Sequence, residues 1–316
     1  MRISVIIPVY NSEQTLVPIA ERLEPVLEGQ ASEYELILVN DGSADQSWDM
    51  ICDLSNTYSW VRGVNLMRNY GQHNALLCGI RSARYEFIVT MDDDLQNPPE
   101  EIPKLFEKLN EGYDVVYGTP QKKQHGFWRD IASHVTKLVM KSTMGVQVAR
   151  NASAFRMFRS DIRLAFADYQ GPFVSIDVLL TWGTTQFVAI PVRHEQRREG
   201  LSNYTFKKLL THAVDMMTGF STMPLRLASV LGFGFSLFGF GVLVYVVGRY
   251  LIQGSSVPGF PFLAAVISIF SGVQLFSLGI IGEYLSRMHF RTMKHPAYTI
   301  RETVNEKAAK KKVDKR

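Results

Sequence analysis

Two long stretches near the C-terminus contain no charged residue: Leu227–Gly248 and Gly254–Gly282. A helix needs about 20 apolar residues to cross the hydrocarbon core of a bilayer, and both stretches are long enough. Between them, the Gly-Ser-Ser-Val-Pro-Gly sequence at 254–259 predicts a short turn. The alternative is a pair of buried core helices, which rarely run this long without a charge. The sequence therefore predicts a transmembrane hairpin over 227–285, with spans at about 227–250 and 261–282.

Basic residues flank both predicted spans on the same side. They are Lys207, Lys208 and Arg226 before the first span and Arg287, Arg291 and Lys294 after the second. The connecting turn carries no Lys or Arg beyond Arg249 at its edge. Because Lys and Arg accumulate on the cytoplasmic side, both termini are predicted to be cytoplasmic, in a multi-pass protein of the inner (cytoplasmic) membrane. The N-terminal run Met1–Pro8 is typical of a first β-strand and not of a signal peptide.

Two further segments are expected near the membrane. Residues 204–226 are predicted to form an amphipathic juxtamembrane helix, which lies in the membrane interface or packs as an ordinary surface helix. Residues 286–316 are a predicted cytoplasmic basic tail, whose last ten residues hold six Lys or Arg and are typical of disorder with incidental contact to membrane lipids. No basic patch is interleaved with aromatic residues, so nucleic acid is not an expected partner.

Residues 1–118 alternate short β-branched runs with helical patterns, which indicates a doubly wound, mostly parallel α/β sheet. The predicted strands are Ile3–Ile7, Glu35–Val39, Val61–Leu66, Phe87–Met91 and Asp114–Tyr117. The predicted helices are Glu13–Leu27, Asp45–Ser55, Gln72–Ala83 and Glu100–Asn110. Ligands of such sheets bind at the carboxyl ends of the strands, so functional residues are expected directly after each strand.

Polar clusters follow four of the predicted strands. They are Pro8–Glu13, Asn40–Ser43, Arg68–His73 and Asp92–Pro99. Turn chemistry explains one such cluster, since Asn-Asp-Gly-Ser is a favourable turn by composition alone. Four clusters at one edge of one sheet are not explained in that way, and together they predict a shared binding site.

Three adjacent carboxylates, Asp92, Asp93 and Asp94, are the sharpest of these features. They repel one another unless a cation lies beside them, and a hard divalent cation with oxygen ligands is the natural partner. In an extended segment Asp92 and Asp94 point to the same side, so one face can offer two acids to a cation such as Mg²⁺ or Mn²⁺. The alternative is an acidic N-cap for the helix that begins near Pro99, which requires only one Asp.

These motifs resemble those of the inverting family 2 glycosyltransferases. The matching segments are Pro8–Asn11, Asn40–Ser43 and Asp92–Glu100. With the hairpin ending in Gly279–Tyr284, the chain looks like the polyprenyl-phosphate glycosyltransferases of that family over most of its length. The resemblance implies a GT-A fold for a cytoplasmic catalytic domain at 1–203, followed by interfacial helices and the transmembrane hairpin. It also implies a homo-oligomer, a tetramer, and small residues in both spans favour close helix packing.

The resemblance also implies which residues bind the nucleotide-sugar donor. Pro8, Tyr10 and Asp41 would hold the nucleotide base, with the Asp41 carboxylate accepting a hydrogen bond from it. UDP is the first expected nucleotide. The other implied donor-binding residues are Asn11, Glu13, Arg68, Asp93, Arg198 and Ser202.

The catalytic residues are implied in the same way. Asp92 and Asp94 would hold the metal on the donor diphosphate, with Asp93 between them, and Gln96 would lie near the reacting centre. Arg197 would clamp phosphate, because its planar guanidinium matches phosphate oxygens. The alternative for Arg197 is a surface ion pair with an acid beside it in the sequence.

The implied reaction is the inverting transfer of a sugar to a polyprenyl phosphate, with undecaprenyl phosphate as the first expected acceptor, for cell-envelope glycan or lipid modification. A phosphate acceptor needs no general base, because its second pKa is about 6 and its oxygen is already anionic at neutral pH. Two alternatives stay open. One is a family 2 enzyme that acts on a hydroxyl of a lipid-linked saccharide or glycan, and the other is a non-catalytic membrane scaffold.

Three positions depart from the usual family pattern. Ser12 stands where an acid usually follows Tyr-Asn, and Asn203 replaces a frequent Lys. Ala154 replaces the Asp of a Gly-Asp-Phe-Arg motif, which bears on the choice of sugar or acceptor. Asp177 is a further candidate for the acceptor side, with a structural role as the alternative.

Overall fold

The computed structural model describes residues 1–120, 152–171, 174–195, 223–253, 259–293 and 295–305. The described strands are β1 (Arg2–Val9), β2 (Glu33–Asn40), β3 (Val61–Leu66), β4 (Phe87–Thr90), β5 (Val115–Pro120), β6 (Arg156–Arg159), β7 (Phe187–Val192) and β8 (Ile300–Val304). The described α-helices are α1 (Leu16–Gln30), α2 (Ser47–Thr57), α3 (Gln72–Ser82), α4 (Ile102–Asn110), α5 (Ile176–Gly183), α6 (Met223–Gln253) and α7 (Phe260–Thr292). A 3₁₀ helix at Pro99–Glu101 leads into α4, and another at Ser160–Phe166 follows β6.

All of the described strands belong to one sheet, in the order β7-β5-β6-β4-β1-β2-β3-β8. Strand β1 pairs in parallel with β2 and β4, and β2 pairs in parallel with β3. The carboxyl ends of these four strands therefore share one edge of the sheet. Strand β6 runs antiparallel between β4 and β5, and β8 runs antiparallel to β3. The doubly wound, mostly parallel sheet predicted from the sequence is confirmed.

The central strand β1 contributes to two apolar layers, because successive side chains of a strand point to opposite faces. Val5 and Ile7 lie in the layer that includes α1, α2 and α4, whereas Ile6 lies in the layer that includes α3 and α5. Each of these fully buried side chains stabilises the fold by about 1.5–3 kcal/mol. A Cβ on Gly79 of α3 would lie 2.3 Å from Ile6, so this glycine allows α3 to lie close against the sheet.

The two C-terminal helices are long and apolar enough to cross a membrane. Pro224–Ile252 spans 29 residues within α6, and Ile269–His289 spans 21 residues within α7. No residue in the most apolar part of each helix is buried in the described chain, which argues against the alternative of buried core helices. The helices contact each other at Phe235 and Phe270, whose ring centroids lie 6.0 Å apart. This pair of helices supports the predicted hairpin.

The observed elements start and stop within a few residues of the predicted ones. Helix α2 begins at Ser47 rather than at Asp45, because the Asp45 carboxylate accepts a hydrogen bond from the Ser47 amide ahead of the helix. Strands β6 and β8 were not expected from the sequence. Most of the predicted juxtamembrane helix at 204–226 and the end of the basic tail lie outside the described residues, and the domain boundaries stay a prediction.

Candidate active site

A pocket lies at the carboxyl ends of β1, β2 and β4, beside the first turn of α3. Residues from all four predicted polar clusters line it: Pro8, Val9, Tyr10, Asp41, Asn69, Gly71, Gln72, Asp92, Asp93, Asp94 and Gln96. The structure therefore brings together seven predicted site residues from distant parts of the sequence, namely Pro8, Tyr10, Asp41, Asp92, Asp93, Asp94 and Gln96.

Asp41, directly after β2, joins two of the loops that form this pocket. Its two carboxylate oxygens accept hydrogen bonds from the backbone amides of Tyr70 at 2.7 Å and Gly71 at 2.8 Å. Burial raises the pKa of Asp41, and these two hydrogen bonds oppose that shift. Each carboxylate oxygen can accept more than one hydrogen bond, so Asp41 can hold the loop after β3 and still accept from a ligand.

The loop after β2 touches the loop after β3 at Gly42. This glycine has a φ of +68°, and a Cβ at this position would lie 2.5 Å from the amide nitrogen of Asn69. A side chain here would therefore meet backbone and would also occupy a conformation that L-residues rarely adopt. Glycine is required at this position by both the turn and the close approach.

Asn11 and Glu13 contact the neighbouring loop and do not appear among the residues that line the pocket. The side-chain oxygen of Asn11 accepts a hydrogen bond from the Ala44 amide at 2.8 Å, and the Glu13 carboxylate accepts one from the Gln46 amide at 2.9 Å. In the described chain they brace the loop that carries Asp41. Arg68 lies exposed at the rim, with its guanidinium carbon 4.8 Å from the centre of the Tyr70 ring.

The three aspartates after β4 have different partners. Asp92 accepts a hydrogen bond from the Gln72 side chain at 2.6 Å, and Asp94 accepts one from the Gln96 amide at 3.1 Å. Asp93 accepts one from the Ser12 hydroxyl at 2.5 Å. Ser12, which replaces an acid of the family pattern, therefore donates to this acidic group.

Electrostatics in this group oppose three simultaneous negative charges. Burial raises the pKa of Asp92 to about 7, and the neighbouring Asp94 and Asp93 carboxylates contribute to that shift. Burial also raises the pKa of Asp93, which the Ser12 hydrogen bond opposes. A bound cation would relieve this repulsion.

The donor set fits a cation that shares its ligands with a substrate. Among the described residues, no three His, Cys, Asp or Glu side chains come together as a metal-binding group. Mg²⁺ typically takes one or two carboxylates and completes its octahedral shell with water and substrate phosphates. Asp92, Asp93 and Asp94 all line the pocket, and their carboxylate oxygens can accept further contacts beyond these hydrogen bonds.

A buried arginine beside the acidic group was missed by the sequence reasoning. Arg156 of β6 is 1% exposed and donates to the Thr90 hydroxyl at 3.1 Å and to the Asp177 carboxylate. The Tyr117 hydroxyl also donates to Asp177, at 3.0 Å. Arg156 lowers the pKa of Asp92, opposing the effect of burial. The sequence signal for Arg156 was a single charge within the apolar run 155–158. The described contacts of Asp177, with Arg156 and Tyr117, are those of a structural residue.

The chain that leaves β7 contacts the acidic loop after β4 (residues 91–98) through the backbone amide of Glu195, which donates to the Gln96 carbonyl, and side-chain ion pairs also hold it in place. The Glu195 carboxylate pairs with Arg22 at 3.1 Å, and Arg22 also pairs with Glu100 at 2.9 Å. Arg193 pairs with the buried Glu101 at 2.7 Å. The predicted site residues Arg197, Arg198 and Ser202 follow in the sequence and lie outside the described residues.

Comparison with known proteins places this site in a family. Residues 4–164 match the model of the family described as "Glycosyl transferase family 2". The chain belongs to glycosyl transferase family 2. This family 2 glycosyltransferase is also 36% identical over 307 residues to an undecaprenyl-phosphate 4-deoxy-4-formamido-L-arabinose transferase from Enterobacter sp. (strain 638), covering 96% of this chain and 94% of that protein.

Solved structures of glucosyl-3-phosphoglycerate synthase from Mycobacterium tuberculosis have a similar fold. The structure with uridine diphosphate has a TM-score of 0.51 at 18% identity and covers 68% of this chain and 77% of that chain. The structure with Mn²⁺, UDP-glucose and phosphoglyceric acid has the same TM-score, identity and coverage. These likenesses confirm the predicted GT-A-like fold of this family 2 glycosyltransferase.

Proposed function

We propose that this family 2 glycosyltransferase transfers a sugar, with inversion, from a UDP-sugar to a polyprenyl phosphate at the cytoplasmic face of the inner membrane. The observation that carries the proposal is the pocket that brings residues after β1, β2 and β3 beside Asp92–Asp94, which follow β4. The same sheet includes β8, the strand that follows two membrane-length helices. The relative that acts on undecaprenyl phosphate, by its name, supports this acceptor.

The donor base is proposed to lie against Pro8 and Tyr10, with Asp41 accepting a hydrogen bond from it. Tyr10 is 52% exposed at the pocket, which suits a ring that a ligand covers on binding. Arg68 and Arg198 are proposed to add positive charge on the donor side. The uridine diphosphate in a solved structure of similar fold supports UDP as the nucleotide.

Asp92 and Asp94 are proposed to hold a divalent cation, Mg²⁺ or Mn²⁺, next to the donor diphosphate. When bound, such a cation supplies electrostatic stabilisation of the departing nucleoside diphosphate. Ser12 keeps Asp93 in place through its 2.5 Å hydrogen bond, and Gln72 orients Asp92. The Mn²⁺ in a solved structure of similar fold supports a divalent cation in this enzyme.

The acceptor phosphate is proposed to bind opposite the donor, against Arg197. Its oxygen is anionic at neutral pH, since the second pKa of a phosphate monoester is about 6, so the chain needs to supply no general base. Arg197 instead offsets the repulsion between two anionic substrates and aligns the attacking oxygen. Attack from the face opposite the leaving group inverts the anomeric carbon, beside Gln96.

The proposed membrane arrangement follows from sequence and helix lengths. Residues 1–203 form a cytoplasmic catalytic domain, 204–226 a juxtamembrane helix, 227–285 the transmembrane hairpin and 286–316 a cytoplasmic segment with a basic tail. We further propose a homo-oligomer, a tetramer, in which small residues of the spans allow neighbouring subunits to approach. A monodisperse monomer by native mass spectrometry from nanodiscs would contradict the oligomer.

The test of function uses the purified full-length chain in nanodiscs with a panel of nucleotide sugars and undecaprenyl phosphate. We expect one nucleotide sugar to give a lipid whose mass equals undecaprenyl phosphate plus the sugar, with stoichiometric release of nucleoside diphosphate. Undecaprenol, which lacks the phosphate, is the matched acceptor control. Equal transfer to undecaprenol would favour a hydroxyl acceptor, and no nucleoside diphosphate release with any donor would favour a scaffold.

A further inference from the structure

The last described strand connects the membrane helices to the nucleotide side of the pocket. After α7 ends at Thr292, the chain returns to the sheet, and β8 pairs antiparallel with β3. Glu302 lies opposite Asn65, and Ile300 lies opposite Leu66. The register shifts between these two pairs, which leaves Arg301 as the extra residue of a β-bulge. Bulges of this kind re-aim side chains near functional sites.

One group of contacts holds the start of the loop that follows β3. The backbone amide of Met67 donates to the Thr299 carbonyl at 2.9 Å, and the Met67 carbonyl accepts from the Arg301 guanidinium at 3.1 Å. Met67 directly precedes the loop whose Tyr70 and Gly71 amides bind Asp41. The C-terminal segment therefore holds Met67, at the start of that loop, through both its backbone amide and its backbone carbonyl.

A second route runs from β8 to the loop after β2 through two buried amide side chains. The Glu302 carboxylate accepts from the Asn65 side-chain nitrogen at 3.0 Å, and the Asn65 side-chain oxygen accepts from the Asn40 side-chain nitrogen at 2.9 Å. The Asn40 side-chain oxygen then accepts from the Ser43 amide at 3.3 Å. Asn40 and Asn65 are 3% and 6% exposed, so water has little access to either.

This route has a fixed direction, because an ionised carboxylate can only accept hydrogen bonds. Glu302 therefore turns the nitrogen of Asn65 toward β8 and its oxygen toward Asn40. Asn40 must then present its nitrogen to Asn65 and its oxygen to the amide of Ser43. The Ser43 amide, which can only donate, favours the same orientation from the other end. Without an acceptor at position 302, the buried side-chain nitrogen of Asn65 loses its partner, and the turn at Asn40–Ser43 loses its connection to β8.

We propose that Glu302 is a positioning residue for the nucleotide, acting through Asn65 and Asn40 on the loop that carries Asp41. Arg301 acts in parallel on the other loop that contacts Asp41. This inference rests on the proposed donor role of Asp41. It makes the segment after the membrane helices part of the donor site, although neither residue lines the pocket.

The strand itself does not depend on the Glu302 side chain. Strand β8 is held by backbone pairing with β3, and the Asn305 side chain donates to the backbone carbonyl of Val61 at 2.8 Å. Val304 packs where a Cβ on Gly63 would lie 2.6 Å from it. Glu302 is exposed at the sheet edge. Changing its side chain is therefore expected to alter the route to Asn40 and leave the sheet intact.

The experiment compares Glu302→Ala with Glu302→Gln in the full-length protein in nanodiscs. Titration with UDP in the presence of Mn²⁺ measures donor-site affinity by calorimetry. We expect Glu302→Ala to weaken UDP binding about fivefold to tenfold, because one hydrogen bond to a charged group is lost from a linked set. Glu302→Gln should stay within about twofold, because its amide oxygen still accepts from Asn65. Turnover at saturating donor should change less than the donor KM in both variants.

Hydrogen exchange supplies a readout that a general loss of stability would not produce. In Glu302→Ala the amides of 40–43 should exchange faster, as should those of Tyr70 and Gly71, which donate to Asp41, while those of β1 and α1 stay protected. The matched control is Glu107→Ala, since Glu107 lies exposed on α4, does not line the pocket, and its side chain makes no hydrogen bond among the described residues. This control should leave UDP affinity and exchange unchanged.

Asp41→Asn separates failure of this inference from failure of the proposed function. If Asp41→Asn leaves UDP affinity unchanged, or if the parent protein does not bind UDP, the proposed donor site is wrong. If Asp41→Asn weakens binding and Glu302→Ala does not, the positioning role of Glu302 is wrong while the donor site stands. A Glu302→Ala protein that fails to fold would make Glu302 a folding residue and would also overturn the inference.

Discussion

The backbone amide of Glu195 donates a hydrogen bond to the backbone carbonyl of Gln96, and the two atoms are 2.8 Å apart. Gln96 belongs to the acidic loop, and Glu195 stands two positions before Arg197 in the sequence. This bond joins backbone atoms of Glu195 and Gln96 and does not involve Arg197. A substitution at Arg197 therefore does not remove it. The contact joins Glu195, the last described residue before Arg197, to the loop that carries Asp94.

Arg197→Ala is expected to lower the transfer rate by at least about a hundredfold while donor affinity falls much less, because positioning of the acceptor phosphate matters most in the transition state. Arg197→Lys should recover only part of the rate, since a point charge replaces a planar fork. Steady-state kinetics and UDP titration measure the two effects. Arg2→Ala is the matched control, because Arg2 makes an exposed pair with Glu86. If Arg197→Ala lowers only donor affinity, Arg197 binds the donor diphosphate rather than the acceptor phosphate. If turnover is unchanged, Arg197 does not bind the acceptor phosphate.

Asp94→Asn is expected to abolish transfer with the fold intact, because one of the two proposed cation ligands loses its charge. EDTA should inhibit the parent enzyme, and added Mg²⁺ or Mn²⁺ should restore it. Circular dichroism and thermal unfolding check the fold. Asp161→Asn, which changes an exposed aspartate on a 3₁₀ helix, should behave like the parent. Full activity in EDTA would exclude a metal role for Asp92 and Asp94.

Gly42→Ala is expected to lower the free energy of unfolding by about 1–3 kcal/mol, through strain at a positive φ and through the clash with the Asn69 amide. UDP affinity should fall in the same variant, because the two loops around Asp41 are forced apart. Gly112→Ala isolates the strain alone: Gly112 has a φ of +105° with no described atom within 4 Å of the added Cβ. Equal losses of stability and unchanged UDP affinity in both variants would contradict a specific contact at Gly42.

Ser256→Cys is expected to react with a membrane-impermeant thiol reagent added to intact cells, whereas Lys310→Cys should react only after the cytoplasmic side is opened. Both changes are best made in a Cys52→Ser background. Cys78 can stay, because burial raises the pKa of its thiol to about 12 and leaves little reactive thiolate. The reverse labelling pattern would overturn the predicted orientation.

The sequence predicted the part of the fold and site that depends on local pattern. Parallel strands buried on both faces give continuous apolar runs, and their carboxyl ends must share an edge, so Asp41 and Asp92 were expected near each other. Strand β8 was not predicted, because three of the five residues of Ile300–Val304 are polar and most of its side chains face solvent at the sheet edge. A role for Arg156 was not predicted, because only the fold shows that its charge is buried beside Thr90 and Asp177.

The place of β8 at the end of the chain also sets an order of events during synthesis. Strand β3 leaves the ribosome long before β8, and both membrane-length helices are made between them. Until β8 has been made, the edge of β3 that it covers stays unpaired. An open strand edge is a template for pairing with other chains. The sheet therefore reaches its full set of described strands only after both helices have been made, and the edge of β3 depends on β8 for its cover.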